Sequence, residues 1–457
     1  AEIYDYRYPI KGCGVWRPYG FKLRSNILNL IRRHLDETGH EEALFPLLIP
    51  EDFLAKESTH IKSFEDESYW ITHGGSDRLD VKLALRPTSE TAITPMVKLW
   101  VRSHADLPKI LYQIGSIFRY ETKATRPMIR VREITTFKEA HTFHTTHEDS
   151  IRQVHTANEV YKRIFDELHI PYLVSKRPDW DKFAGALTSY AFDTVFPDGR
   201  ALQIGTTHDL GQNFGRAFDF TFETVDGKRD YVWQTCYGIS ERLVATVVTI
   251  HGDDRGLVLP PKVAPIQVVI VPIPYKGVEA EVNEECKRVE ETLIEAGLRV
   301  KLDDRGNVTP GSKFYDWELR GVPIRVEVGP RDLERGEVTL VRRDTLEKSS
   351  CDREGVVGSI MELMAEIGEG LKGRAEEWLR SRLHRARSLE EAKNIIDSRQ
   401  GVVEIPWCGG DGCGLRMESE VDARVLGTPM DSEEGDEGRC PVCGSRAKGV
   451  IRLAKAY

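Results

Sequence analysis

Hydrophobic and polar positions in the first part of the chain predict antiparallel strands accompanied by helices. Apolar residues in 21–40 recur at the spacing of one helix face. Segments 109–121 and 128–137 alternate apolar and polar residues, which predicts two antiparallel strands joined by a turn. Segment 43–50 (ALFPLLIP) is interpreted as a buried extended run. A helix is predicted after Gly238, with Ser240 as its cap.

The pattern changes after LPPKVAP at 259–265, which is interpreted as a stiff linker and a domain boundary. A continuous apolar run is followed by an amphipathic helix that Gly297 closes. A second helix is predicted to begin at Thr309 and Pro310. Strands and helices alternating in this way indicate a small α/β domain. The predicted domains are an antiparallel-sheet domain at 1–260, an α/β domain at 264–372 and a C-terminal domain at 373–457.

Composition narrows the class of protein. The 457 residues are 40% hydrophobic and 30% charged, which suits a folded chain with large cores. No stretch approaches the ~20 apolar residues that span a bilayer, and the N-terminal residues lack an apolar signal region. The chain is therefore predicted to be cytoplasmic. Its formal net charge of −9 means that any nucleic-acid binding would rely on local basic patches.

The eight cysteines do not form a disulfide framework, because four are scattered and four are clustered. Two close pairs near the C-terminus, each flanked by glycines, have the arrangement of a four-thiolate zinc site. The segment between the pairs is acid-rich, so metal is expected to supply much of the folding energy there. Four unrelated cysteines are the alternative. The predicted zinc ligands are Cys408, Cys413, Cys440 and Cys443.

Charged side chains are concentrated in segment 116–144. Arg119 and Glu121 are two residues apart, as are Arg130 and Arg132, and on a strand that spacing places each pair on one face. Arginine suits planar, bidentate recognition of phosphate better than lysine does. The segment therefore predicts an anion site, with a solvated hairpin face as the alternative.

Several motifs in this chain resemble those of one enzyme class. FRYET followed by MIRVRE resembles motif 2 of the class II aminoacyl-tRNA synthetases. GHEEALFPLLIP is similar to their motif 1, and YGISERLVATVVTIHG to their motif 3. Three motifs in the right order are more specific than any one. LRPTSET, KFAGA, QIGTTHDLGQNF and CPVCG further resemble the prolyl-tRNA synthetases of archaea and the eukaryotic cytosol.

The resemblance implies an α+β fold. Its parts would be a class II antiparallel-sheet catalytic domain, an α/β anticodon-binding domain and a small zinc-binding C-terminal domain. It implies ATP-dependent ligation of L-proline to tRNA(Pro) through a prolyl-adenylate. The implied cofactors are ATP, Mg²⁺ and a structural Zn²⁺. A homodimer formed around the apolar run at motif 1 is expected, and no editing domain is expected between motifs 2 and 3.

The resemblance also implies the site residues. Arg119 would bridge the proline carboxylate and the α-phosphate, and Arg242 would close over the nucleotide, so these two are the expected catalytic residues. The expected ATP-binding residues are Arg119, Glu121, Arg130, Gln203, Thr206, Ser240 and Arg242. The expected proline-binding residues are Thr88, Glu90, Arg119, Glu139, His141, Phe183, His208 and Gly238.

Other interpretations of single features stay open. PTSET by itself is also an ordinary helix start. The C-terminal Tyr457 resembles a terminus that reaches the active site in this family, and a frayed tail is the alternative. Anticodon-reading side chains are expected near 303–313, where a plain surface loop is equally compatible with the sequence.

Two other functions remain as alternatives. One is a class II relative for another small amino acid, such as a threonyl or glycyl enzyme. A threonyl enzyme would carry zinc in its catalytic core on Cys and His, and no such set is expected near Cys13 or Cys236. The other is a non-catalytic paralogue. Such proteins typically lose the phosphate-binding arginines, and Arg119, Arg130 and Arg242 are all present.

Overall fold

The computed structural model describes residues 2–58, 67–273, 275–430 and 438–457. The helices are α1 Pro18–Asp36, α2 Glu51–Ser58, α3 Glu90–Trp100, α4 His147–Glu167, α5 Asn213–Ala217, α6 Arg242–His251, α7 Glu279–Glu295, α8 Pro310–Leu319, α9 Pro330–Arg335, α10 Val356–Ser381, α11 Leu389–Asp397 and α12 Asp411–Val421. Short 3₁₀ turns cover His104–Asp106 and Arg353–Gly355.

The strands are β1 Tyr4–Asp5, β2 Val15–Trp16, β3 Glu41–Glu42, β4 Leu48–Pro50, β5 Tyr69–Gly74, β6 Asp77–Leu85, β7 Lys109–Phe118, β8 Glu133–His144, β9 Leu173–Lys176, β10 Thr188–Val195, β11 Ala201–Gly211, β12 Thr221–Glu223, β13 Arg229–Tyr231, β14 Trp233–Ile239, β15 Val268–Pro272, β16 Val300–Leu302, β17 Ile324–Val328, β18 Glu337–Arg342, β19 Lys348–Asp352, β20 Leu383–Arg385, β21 Val402–Trp407, β22 Arg424–Pro429 and β23 Gly449–Ala454.

One large sheet organises the N-terminal and C-terminal parts of the chain. Its strand order is β20-β21-β23-β22-β9-β10-β11-β14-β8-β7-β3. The central strands β9, β10, β11, β14, β8 and β7 pair antiparallel, as the alternating pattern predicted. Helices α1, α4 and α6 cover one face and share the main hydrophobic core with it. The opposite face is left for the candidate site.

The two-residue period of β8 separates its side chains between these faces. Lys138 points to the helices, where its Nζ donates to the hydroxyl of Tyr161 in α4 at 2.9 Å. Glu139 points the other way and accepts a hydrogen bond from the hydroxyl of Ser89 at 2.6 Å. One strand thus contributes both to the core and to the site.

The charged segment differs from its prediction. Strand β7 ends at Phe118 and β8 begins at Glu133, so residues 119–132 form a connecting loop and the strand predicted at 128–137 starts late. The prediction that residues 119 and 121, and likewise 130 and 132, share one face of a strand is therefore wrong. Backbone bonds inside the loop, such as Arg126 N–H to Arg130 O and the reverse pair, hold it as a tight turn instead.

Motif 1 also differs from the predicted buried run. Only β4 within 43–50 is a strand, and its pairing partner is β6. Phe45 and Ile49 are buried, but Leu44, Leu47 and Leu48 are exposed on this chain by itself. Apolar side chains consequently face outward from this segment.

The second domain confirms the predicted alternation of strands and helices. Its sheet has the order β16-β15-β17-β18-β19, with β15 parallel to both of its neighbours. Helix α8 begins as predicted, since the Thr309 side chain accepts from Ser312 N–H and Pro310 is the first helical residue. The linker expected at 259–265 is not exposed: Leu259, Val263 and Ala264 are buried in the main core.

The C-terminal strands extend the large sheet, because β22 pairs antiparallel with β9. Behind them α11 and α12 enclose a hydrophobic core that includes Ile405, Met417, Val421, Val425 and Ile451. The expectation that the segment between the cysteine pairs cannot fold by burying apolar surface is therefore wrong. Met417, Val421 and Val425 of the segment itself pack in this core against Ile405 and Ile451 of the flanking strands.

Residues 145–232, between β8 and β14, form strands β9 to β11 of the large sheet, helices α4 and α5, and the separate two-stranded sheet of β12 and β13. Among the described helices, none is both long and apolar enough to cross a membrane.

Candidate active site

The uncovered face of the sheet carries a cavity of about 290 Å³. Its floor comes from β8, β11 and β14, and its rim from the 119–132 loop and the start of α3. The structure gathers there almost every residue expected to bind ATP or proline. These lining residues are Thr88, Glu90, Arg119, Glu121, Arg130, Glu139, Phe183, Gln203, Thr206, His208, Gly238, Ser240 and Arg242.

Arginines dominate one end of the cavity. The Nε of Arg119 donates to Pro87 O at 3.0 Å, and the Nε of Arg242 donates to Ile129 O at 2.9 Å. Burial, with Arg119 and Arg130 close by, lowers the pKa of Arg242 to about 10. Positive charges placed this close together repel one another, so this end of the cavity favours a polyanion.

Acceptors and a ring-sized pocket lie at the other end. Oε2 of Glu90 accepts from the hydroxyl of Thr88, and Oε1 accepts from the thiol of Cys236 at 3.1 Å. The rings of Phe183 and His208 are 4.9 Å apart. Burial lowers the pKa of His208 to about 4, so its imidazole is neutral near pH 7.

Ser89 resolves the question whether PTSET is only a helix start. It occupies the N-cap position of α3, yet its side chain makes no capping hydrogen bond. Its hydroxyl donates to Glu139 instead, and Gln113 donates to that hydroxyl at 2.9 Å. The Ser89 side chain therefore contacts residues of the site and does not cap the helix.

Glu139 and His141 form a buried pair below the cavity. Oε2 of Glu139 and Nε2 of His141 are 3.6 Å apart. Burial alone would raise the pKa of Glu139, but hydrogen bonds from His141 and Ser89 outweigh it and lower the pKa overall. His141 does not line the cavity itself.

Sequence reasoning missed several lining residues: Arg177, Asp181, Lys182, Ser189, Cys236 and Glu241. Arg177 donates to Gln203 Oε1 at 3.0 Å and so fixes an expected nucleotide contact. It follows β9, which reaches the site only through long-range pairing, so local sequence carried no signal for it. Glu241 lies within motif 3, between the expected nucleotide contacts Ser240 and Arg242, so the motif was a signal for it.

Glu241 connects motif 3 to β8. Its Oε2 accepts from the backbone N–H and the hydroxyl of Thr135, both at 3.0 Å. Burial raises the pKa of Glu241 to about 7. The prediction that Ser240 caps the following helix is wrong, since Glu241 holds the N-cap position and makes no side-chain cap. Ser240 Oγ does accept from Arg242 N–H at 3.3 Å.

The expectation that no Cys–His set lies near Cys236 is also wrong. Glu90, His141 and Cys236 come from three separate elements, and their ligand atoms all lie within 4.8 Å of one another. No sequence spacing joins them, which is why the set was not expected.

The four C-terminal cysteines converge as their spacing predicted. The Sγ atoms of Cys408, Cys413, Cys440 and Cys443 all lie within 4.8 Å of one another. Cys440 is fully buried and Cys443 is exposed, so the cluster joins the core of the C-terminal domain to its surface.

The C-terminal residue is packed, not frayed. The hydroxyl of Tyr457 donates to Asp198 at 2.8 Å. The guanidiniums of Arg126 and Arg200 lie 5.0 and 5.2 Å from its ring centre. Tyr457 and Arg130 line a neighbouring cavity of about 410 Å³, so the terminus lies beside the 119–132 loop and outside the main cavity.

In the second domain, Lys313 is excluded as an anticodon reader. It is buried, and its Nζ donates to Asp303 O at 2.8 Å. Arg305 is more accessible, although it pairs with Asp303 and Asp316.

Comparisons with known proteins identify the family. Residues 69–251 match the tRNA synthetase class II core domain (G, H, P, S and T), 267–363 the anticodon binding domain, and 389–457 the prolyl-tRNA synthetase C-terminal domain. A proline–tRNA ligase of Aeropyrum pernix is 58% identical over 461 residues, covering 100% of this chain and 95% of the relative. The chain belongs to the prolyl-tRNA synthetase family. A proline–tRNA ligase of Saccharolobus islandicus is 56% identical over 460 residues, with the same coverage.

A solved prolyl-tRNA synthetase has the same fold. The Giardia lamblia enzyme in complex with prolyl-adenylate superposes with a TM-score of 0.96 at 38% identity, covering 100% of this chain and 96% of the other. The predicted family and fold class are thereby confirmed. The relatives named here are proline-specific ligases, so neither a threonyl or glycyl relative nor a non-catalytic paralogue is supported.

Proposed function

We propose that this chain ligates L-proline to tRNA(Pro), using ATP to form a prolyl-adenylate intermediate. The observation that carries the proposal is the division of one cavity into an arginine-lined end and an end with a buried carboxylate. The first end suits the phosphates of ATP. The second suits a small cationic amino acid.

The activation step joins two anions and needs no nucleophile from the protein. A proline carboxylate oxygen attacks the α-phosphorus, the bond to the β,γ-phosphates breaks, and pyrophosphate leaves. Arg119 would contact both reacting groups, because it lines the cavity and its Nε donates to Pro87 O, next to Thr88 of the proline end. Arg130 would hold the outer phosphates, and Arg242 would close over the nucleotide. Screening charge and fixing an in-line geometry are then the main contributions of the protein.

Neutral and acidic groups would orient the nucleotide. Glu121 would accept from the adenine amino group, and Gln203, Thr206 and Ser240 would add neutral contacts. In the transfer step the 3′-terminal ribose hydroxyl of tRNA attacks the activated carbonyl. AMP leaves, and the substrate phosphate takes the hydroxyl proton.

Proline recognition would rest on charge and size. Thr88 and Glu90 would accept from the secondary ammonium. Phe183, His208 and Gly238 would enclose the ring, which offers no polar group of its own. Glu139 and His141 would support the pocket from below, because the contacts of Glu139 with Ser89 and His141 fix the start of α3.

ATP would be taken as its Mg²⁺ complex, with the metal as part of the substrate. The four cysteines fit a closed tetrahedral thiolate shell, so zinc there would be structural. Tyr457 would influence activation through Arg126, which belongs to the same loop as Arg130.

We also propose a homodimer that acts in the cytoplasm. The exposed Leu44, Leu47 and Leu48 adjoin α3, where Leu99 and Trp100 are exposed as well. The Trp100 ring stacks 5.8 Å from that of Phe45, which makes the surface continuous. An apolar surface of this kind suits a second copy of the chain. All eight cysteines are free of disulfide bonds, which is typical of a protein in a reducing compartment.

The decisive experiment is ATP–pyrophosphate exchange with each of the 20 amino acids. Proline alone should support rapid exchange, followed by transfer to tRNA(Pro). Arg119→Ala should lower exchange by at least about a hundredfold, the size of effect seen when one transition-state donor is removed. Arg152→Ala is the matched control, because that arginine is exposed on α4 and does not line the cavity. Exchange of the Arg119 variant within tenfold of wild type would contradict the assignment.

A further inference from the structure

Three buried side chains, two lining the cavity and one directly below it, have the chemistry of a second metal site. Glu90 begins α3, His141 lies on β8 and Cys236 lies on β14, and each is at most 7% exposed. Cys236 Sγ lies 3.1 Å from Glu90 Oε1 and 4.0 Å from His141 Nε2. All three ligand atoms lie within 4.8 Å of one another.

These separations are close to those of a tetrahedral zinc shell. With bonds of about 2.3 Å to sulfur and about 2.0–2.1 Å to nitrogen or oxygen, sulfur should lie about 3.6 Å from each other ligand. The observed 3.1 and 4.0 Å each differ from that value by about half an ångström. Small side-chain rotations are enough to correct such differences.

The surroundings favour a cation. Glu139 is also buried, and its Oε2 lies 3.6 Å from His141 Nε2, so a second carboxylate faces the same point. The hydroxyl of Thr88 holds the other oxygen of Glu90, which leaves Oε1 directed at Cys236. Thiolate, imidazole and carboxylate together suit Zn²⁺ or Co²⁺ and disfavour Mg²⁺.

We propose that Glu90, His141 and Cys236 bind one Zn²⁺-like cation in competition with proline. Binding breaks the S–H bond of Cys236, forms a metal–sulfur bond and releases the proton to water. Three protein ligands leave the fourth position open toward the cavity, where water would complete the shell. Metal binding stands independently of the proposed function. The competition with proline rests on the proposed function, in which Glu90 accepts from the proline ammonium.

Cobalt provides a test that does not depend on activity. The full-length, zinc-loaded protein is titrated with Co²⁺, and the thiolate-to-cobalt charge-transfer absorption is followed. We expect a band that saturates at one additional metal per chain, is absent in Cys236→Ala and declines as proline is added. Cys286→Ala, at a buried cysteine of the second domain, is the matched control and should keep the band.

Zinc inhibition of exchange provides the second arm. In Mg²⁺ buffer, micromolar Zn²⁺ should inhibit wild type competitively with proline. Relative to its own uninhibited rate, Cys236→Ala should need at least tenfold more Zn²⁺. If that variant fails to fold, His141→Asn serves in its place for both arms.

The outcomes separate the two proposals. A band that persists in the Cys236 variant, no band in wild type, or a band that proline leaves unchanged would overturn the metal site or its competition. Failure of proline exchange with a normal cobalt band would instead overturn the proposed function alone.

Discussion

Replacing Arg242 by methionine is expected to stabilise the ligand-free chain while removing its activity. Methionine keeps the length and apolar stem of the side chain but removes its charge. In the free protein that charge is unfavourable, because burial and the neighbouring Arg119 and Arg130 lower the pKa of Arg242 from 12.5 to about 10.

The expected change in the free energy of unfolding follows from the lowered pKa of Arg242. At about 1.4 kcal/mol per pKa unit, the folded state holds the charged form at a cost of about 3 kcal/mol. This is an upper bound, since the side chain is only partly buried. The variant also loses hydrogen bonds to Ile129 O and Gln203 O, each taken as worth about 1 kcal/mol. The net expectation is a gain of about 1 kcal/mol.

Thermal melts and exchange assays measure the two effects separately. For a domain of about 250 residues, 1 kcal/mol raises the midpoint by about 2 °C. Proline-dependent exchange should fall by at least about a hundredfold. ATP should raise the midpoint of wild type and not that of the variant, while Arg152→Met should change neither property. A variant destabilised by more than about 1 kcal/mol, or one retaining a tenth of the activity, would refute the reasoning.

Three further predictions concern the pocket, motif 3 and the cysteines. Glu90→Gln should raise the KM for proline at least about tenfold and leave that for ATP within about twofold, because only proline presents an ammonium there. Glu241 has its pKa raised to about 7, so its contribution to stability is present below about pH 4.5 and lost as the pH rises through 7. Glu241→Gln should flatten that decline, which amounts to at most about 3 kcal/mol in denaturant titrations across pH 4.5–8. Cys440→Ser should release one zinc per chain, measured by metal analysis of the pure protein.

Each of these predictions has a contrary outcome. An equal rise in both KM values would make Glu90 a structural residue. An unchanged pH dependence of stability would mean that Glu241 does not titrate in this range. Zinc retained in the Cys440 variant would show that the cysteine cluster is not the site. Cys286→Ser, at a cysteine buried elsewhere, should keep its zinc.

Motifs whose chemistry is contiguous could be predicted from the sequence. Thr309 and Pro310 start α8 as expected, because capping depends on neighbours within one helical turn. The cysteine pairs could be recognised because the two cysteines of each pair are close along the chain, and the fold brings all four Sγ atoms within 4.8 Å of one another. The cavity residues were identified through resemblance to a family, motif by motif, rather than from periodicity.

Tertiary structure decided the features that depend on long-range pairing. Alternation predicted a strand through Met128, but the chain turns there, and Arg119 and Arg130 of the loop line the cavity. The pairing of β22 with β9 merges the C-terminal domain with the large sheet. Cys236 meets His141 only because β14 pairs with β8 in a register that places them opposite each other. Hydrophobic periodicity specifies which face of an element is buried, while strand order and register arise from contacts between distant segments.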